Sequence, residues 1–99
     1  MIKAILIEPK KKPKIIELND TLKELQRLVG GYIEYVYNPF LKDIAFICND
    51  EGKILNLEPN IDFGYDVLCG NVIIVGDNHN GENSSLSEEQ IKILMEVFE

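Results

Sequence analysis

Between residues 19 and 38 the spacing of the apolar residues changes once, from helical to strand-like, and that change limits what the whole chain can become. Leu22, Leu25, Leu28 and Val29 recur at the three- and four-residue intervals of one helix face. Thr21 followed by Glu24 has the spacing of a capping box, with Asp20 a competing N-cap. Gly30 or Gly31 can take the left-handed conformation that ends a helix without a Cβ penalty. Residues 32–37 then read as a strand. Ile33 and Val36 fall out of strict alternation, so we expect both of its faces to be covered and the strand to lie centrally.

The remaining segments supply further strands and one more helix. Residues 2–7 form a short Ile-rich run closed by Glu8-Pro9, and residues 15–18 return as its antiparallel partner. Pro9 and Pro13 bracket Lys10, Lys11 and Lys12, and Lys14 follows, which predicts an exposed turn whose charges discourage edge pairing. Asn38-Pro39 breaks the pattern, and residues 44–48 make the next strand. Asn49-Asp50-Glu51-Gly52 predicts a hairpin turn, with residues 53–57 as the returning strand and Glu58-Pro59-Asn60 ending the pairing. Residues 61–65 carry Phe63 and Tyr65 in a loop whose aromatics either close over the core, the commoner fate, or present a contact patch; residues 66–75 read as one last strand, and residues 77–85 as an exposed polar loop.

At the C-terminus, Ser87 with Gln90 makes a second capping box, Leu86 with Ile91 a hydrophobic staple, and Glu88 and Glu89 suit the positive helix end. Ile91, Leu94, Met95 and Phe98 share one face. Ile93 and Val97 lie off that stripe, so either the helix is clasped on two sides or a second copy packs there as a homodimer. These elements predict an α+β domain: a mostly antiparallel sheet of about five strands, with two helices packed on one face.

Composition narrows the function. A chain of 99 residues that is 45% hydrophobic makes one domain spanning 1–99. No run approaches the roughly 20 apolar residues of a membrane helix, and Met1-Ile2-Lys3-Ala4 lacks the order of a signal peptide, so a cytoplasmic protein is expected. Cys48 and Cys69 stand in apolar, strand-like contexts that suit core packing.

The net charge of −7 is unevenly laid down: residues 1–49 carry eight Lys/Arg against six Asp/Glu, while residues 50–99 carry two against eleven. Direct binding to nucleic acid is therefore not expected, and a basic protein surface is the natural complement, although net charge also serves solubility. The loop 77–85 departs from a calcium loop in its Gly and distal Glu positions, and His79, the sole histidine, excludes a site of several histidines, so no metal or cofactor is expected. Glu34 and His79 are the only catalytic pair that can be nominated, and nothing in the sequence brings them together; no enzyme is expected.

With these blocks in view, the chain resembles DUF3846, a family of small domains from phages, plasmids and other bacterial mobile elements. The resemblance runs over nearly the full length. It rests on Glu8-Pro9, on Gly30-Gly31-Tyr32-Ile33-Glu34 after the helix, on Asn49 and Glu51-Gly52-Lys53, on Leu57 with Pro59-Asn60, on Gly70 and the strand to Gly76, and on the Ser87 helix. The family has no assigned activity, and the short region between Asn60 and Asp66 departs from its pattern.

The setting that this resemblance implies is a small acidic protein that blocks a host defence component, such as a CRISPR or restriction nuclease. Asp50, Glu51, Asp62, Asp66, Asp77, Glu82, Glu88 and Glu89 would stand in for DNA phosphates. A second reading is a sponge or sensor for a nucleotide-like ligand, with Tyr32, Tyr35 or Tyr37 stacking a base and Lys10, Lys11 and Lys12 meeting phosphates. A regulatory adaptor is a third.

Overall fold

In a computed structural model that describes residues 1–99, the most apolar runs of the chain lie side by side. The elements in order are β1 (Ile2–Ile7), β2 (Lys14–Leu18), α1 (Leu22–Val29), β3 (Ile33–Val36), β4 (Ile44–Asn49), β5 (Pro59–Asp62), β6 (Val67–Cys69), β7 (Val72–Asp77), β8 (Asn83–Ser84) and α2 (Glu88–Val97). The main sheet runs β2-β1-β7-β4-β3, antiparallel throughout, with β8 added to the end of β7, while β5 and β6 form a separate two-stranded sheet. This is the α+β, mostly antiparallel architecture that the periodicities imply.

The three inner strands alternate between two cores. Ile5, Ile7, Ile44, Phe46, Cys48, Val72 and Ile74 face one side, and Ala4, Leu6, Ala45, Ile47, Ile73 and Val75 face the other. A strand apolar on both faces needs cover on both. The helices accordingly lie on opposite faces, not on one as expected. Leu25 and Val29 of α1 close one core, and Leu94 of α2, with Leu86, Ile61 and Leu68, closes the other. Ile91, Met95 and Phe98 pack against this second core, as their stripe predicts.

Local signals hold where they involve only near neighbours. Thr21 accepts from the Glu24 amide at 3.2 Å, though the Glu24 carboxylate turns to Arg27 and leaves that box half made. Gly30 ends α1 at φ 80°. At α2 both halves of the box form: Ser87 Oγ accepts from the Gln90 amide at 3.0 Å, and Gln90 Oε1 accepts from the Ser87 amide at 2.9 Å. No helix is long and apolar enough to cross a membrane.

Four expectations are corrected by pairing. Ile33 and Val36 do pack into opposite cores, yet β3 is an edge strand that pairs only with β4, because cover above and below does not require a neighbour on each side. Residues 53–57 form no strand: β3 and β7 already occupy both edges of β4, leaving a returning chain nothing to pair with. The segment folds into tight turns instead, with the Leu55 amide donating to Glu51 O at 2.8 Å and the Leu57 amide to Gly52 O at 2.9 Å. Residues 59–62, expected as a terminator and a loop, pair with β6. The run 66–75 is two strands, broken at Gly70, whose φ of +82° directs the chain from the small sheet into the large one. Phe63 does close over the core, edge-on to Phe46 at 5.0 Å, whereas Tyr65 stays exposed. The loop 77–85 contains the short strand β8, and its remaining residues are largely exposed.

Candidate functional site

The antiparallel register carries acidic residues to one end of the sheet. β7 finishes at Asp77 beside the start of β4, and the Asp77 amide donates to Asp43 O at 2.9 Å. His79, in the left-handed region at φ 64°, places Nε2 2.6 Å from Asp43 Oδ1 and Nδ1 3.7 Å from Asp77 Oδ2. The hydrogen bond to Asp43, and then the charge of Asp77, raise the imidazole above its ordinary pKa.

The start of α2 is tied to the same place, since Gln90 Nε2 donates to Asp43 O at 3.3 Å, which sets the exposed Glu88 and Glu89 next to it. Asn83 on β8 accepts from the Tyr35 hydroxyl at 3.0 Å and donates to Asp20 at 2.8 Å, bringing in a carboxylate 63 residues away. Glu82 lies in the loop leading to β8 and is exposed. Asp20, Asp43, Asp77, Glu82, Glu88 and Glu89 thus share one end of the molecule. Their only ion-pair partner is His79; Lys42 and Lys92, close by in sequence, pair with none of them.

The other acids of the sequence-predicted surface are elsewhere. Asp50 and Glu51 follow the end of β4, a strand length away. Asp66 is paired with Lys53 at 2.5 Å, which lowers its pKa. Asp50, Lys53 and Asp66 border a cavity of about 320 Å³ that also holds Glu34, Cys48 and Cys69. Desolvation and then the charge of Asp50 raise the Glu34 carboxyl, and burial pushes the Cys48 thiol up to about 11, so it is a weak nucleophile at neutral pH. Both cysteines are free thiols, Cys48 buried and Cys69 partly so. Asp62 accepts from the Gly64 amide at 2.7 Å and stabilises its own turn. The eight predicted acids therefore form two groups and an outlier, because β4 and β7 run the full height of the sheet between them.

Tyrosines and lysines are likewise kept apart. Tyr35 and Tyr37 stack on the β3 edge with centroids 6.5 Å apart, and Tyr32 is exposed beyond its start. Lys10, Lys11 and Lys12 occupy the β1–β2 turn, three strand spacings or roughly 14 Å across the sheet from β3. Glu34 and His79 sit at opposite ends of β4: Glu34 pairs with Cys48, five residues or roughly 16 Å along the strand from Asp43. No group of three or more His, Cys, Asp and Glu side chains is arranged to hold a metal. Sequence reading left Asp43 out of the acidic surface and gave Asp20 only as a competing N-cap, a place that Thr21 takes. Asp43 directly precedes a strand, which gave a local hint, whereas the link from Asp20 to Asn83 left no trace in the sequence.

No curated protein and no solved structure matches the chain. The resemblance carried by the Gly30-Gly31-Tyr32-Ile33-Glu34 block is confirmed: a family model described as a domain of unknown function (DUF3846) matches residues 2–99, and the chain belongs to that family.

Proposed function

We propose that the protein acts by binding, not by catalysis, and that it presents its acidic end to a cationic surface of a partner protein. The observation that carries this reading is the set of six carboxylates, Asp20, Asp43, Asp77, Glu82, Glu88 and Glu89, none neutralised by Lys or Arg. Elsewhere Glu8, Glu24, Glu58 and Asp66 are each paired with a Lys or Arg, whereas none of these six is. The backbone of Asp43 and Asp77 is held by the sheet, and Glu88 and Glu89 by the capped helix, so little ordering is needed on binding.

The partner class with the complementary chemistry is a protein groove lined by Lys and Arg that otherwise takes nucleic acid. A bacterial defence nuclease has such a groove, and occupying it would inhibit the enzyme. The test is capture of partners from bacterial lysate at low and high salt, followed by measurement of affinity and nuclease activity with the purified partner. Reversing Glu82, Glu88 and Glu89 to Lys should weaken binding at least about tenfold and abolish inhibition, while reversing Asp50 and Glu51 should change neither. Binding that survives the first reversal, or that salt does not weaken, refutes the proposal.

A further inference from the structure

On the face covered by α2, the β1–β2 turn, β5 and the last turn of the helix enclose a solvent-open cavity of about 600 Å³. That is the size of pocket that takes a mononucleotide or a drug-sized molecule. Its apolar lining includes Phe63 and Phe98, and both rings are fixed from behind. Each meets Phe46 edge-on, with centroids at 5.0 Å and 77° for Phe63 and 6.0 Å and 80° for Phe98. Val97, the neighbouring wall, is 58% exposed although it is apolar.

The polar lining is two lysines, two asparagines (Asn38 and Asn60) and one acid. Lys10 and Lys11 stand at the rim, and the single acid, Asp62, has a carboxylate oxygen engaged by the Gly64 amide at 2.7 Å. Asn60 is held by two donations from Nδ2, to Ile7 O and Gly70 O, both at 2.8 Å. Lys10 is paired with Glu58 at 2.7 Å, which raises its pKa, and Lys11 is held more loosely. Glu8 is satisfied by Lys14 at 2.8 Å and lies 3.8 Å from Lys11, and the Lys10–Glu58 pair is so exposed that exchanging it costs little.

Phe63, which also stacks on Tyr65 with centroids 5.9 Å apart, and Phe98 line the cavity together with two exposed ammonium groups, a combination that suits a flat ring carrying an anion. From this we infer a ligand site, independent of the acidic end, for a small aromatic phosphate: the ring lies against Phe63, Phe98 and Val97, and the phosphate lies between Lys10 and Lys11. The tyrosines of β3 take no part. Of the lysines first assigned to a nucleotide, Lys10 and Lys11 line this cavity and Lys12 does not.

The test is amide NMR of the full chain titrated with AMP and, separately, with 1-naphthyl phosphate, against adenosine and inorganic phosphate alone. Saturable shifts at Lys10, Lys11, Phe63 and Phe98 with either aromatic phosphate support the site, and which of the two binds tells a nucleotide pocket from a general aryl-phosphate pocket. Adenosine and phosphate alone should bind at least about tenfold more weakly. Lys10→Glu with Lys11→Glu should cost about tenfold while the spectrum stays folded, and Lys12→Glu should cost nothing. The site is refuted if neither aromatic phosphate saturates, if the shifts centre on Tyr35 and Tyr37, or if the double reversal binds as well as the parent.

Discussion

Replacing Gly76 by alanine should loosen the acidic end without touching a charged residue. Gly76 lies in β7 between Ile44 of β4 and Ser84 of β8. A Cβ added there would stand 2.6 Å from Ser84 Oγ, 2.8 Å from Ser85 O and 3.0 Å from Ser84 O. Two of those three atoms are backbone, so a rotamer change cannot clear the clash and β8 must move. That strand is held to β7 by only two register pairs, Gly76 with Ser84 and Asp77 with Asn83. Its displacement also disturbs the contact of Ser85 Oγ with the Lys3 amide at 3.0 Å.

Overpacking of this kind costs about 1–3 kcal/mol. In a domain of this size a loss of about 2 kcal/mol lowers Tm by roughly 10 °C. Urea unfolding gives the free energy, and hydrogen exchange at residues 83–86 reports whether the loss is local. Adding Ser84→Ala removes the closest contact but neither carbonyl, so it should restore less than half of the stability. An alanine variant within about 0.5 kcal/mol of the parent, or full rescue by the serine change, would show that β8 does not press on this glycine as described.

Two further outcomes follow from ionisation. The His79 imidazole, raised by Asp43 and Asp77, is tied to both carboxylates only when protonated. Its contribution is therefore fully present below the unfolded imidazole pKa and is lost as pH rises through the higher folded value. NMR titration of the ring should show a midpoint above that of an unstructured histidine, and Asp43→Asn should bring it down; an unchanged midpoint refutes the assignment. Cys48, buried and with its pKa raised to about 11, should react with a disulfide reagent at pH 8 at least about tenfold more slowly than the thiols of the unfolded chain. Cys48→Ser should remove the slow phase, and equal rates in the folded and unfolded chain would contradict its burial.

Much of this molecule was legible because the governing interactions are short in sequence. The Ser87–Gln90 box, the glycine that ends α1, the β1–β2 turn between two prolines and the stripe of α2 each depend on residues a few positions apart. The acidic surface was legible only as composition. Eight carboxylates that look continuous along the chain are divided by the height of β4 and β7, and Asp43 and Asp20 are recruited to one end by bonds to residues 36 and 63 positions away.

Sequence alone determined the two helices, the β1–β2 hairpin, the capping box of α2 and the excess negative charge, since helical and strand periods and capping pairs are properties of neighbouring residues. Tertiary structure decided which strand is an edge, which helix covers which face, why residues 53–57 cannot return as a strand and which carboxylates lack a cation. Each of those outcomes is a competition for one strand edge, one apolar face or one lysine among groups distant along the chain. Its winner is set by what has already packed there, and no local pattern records that.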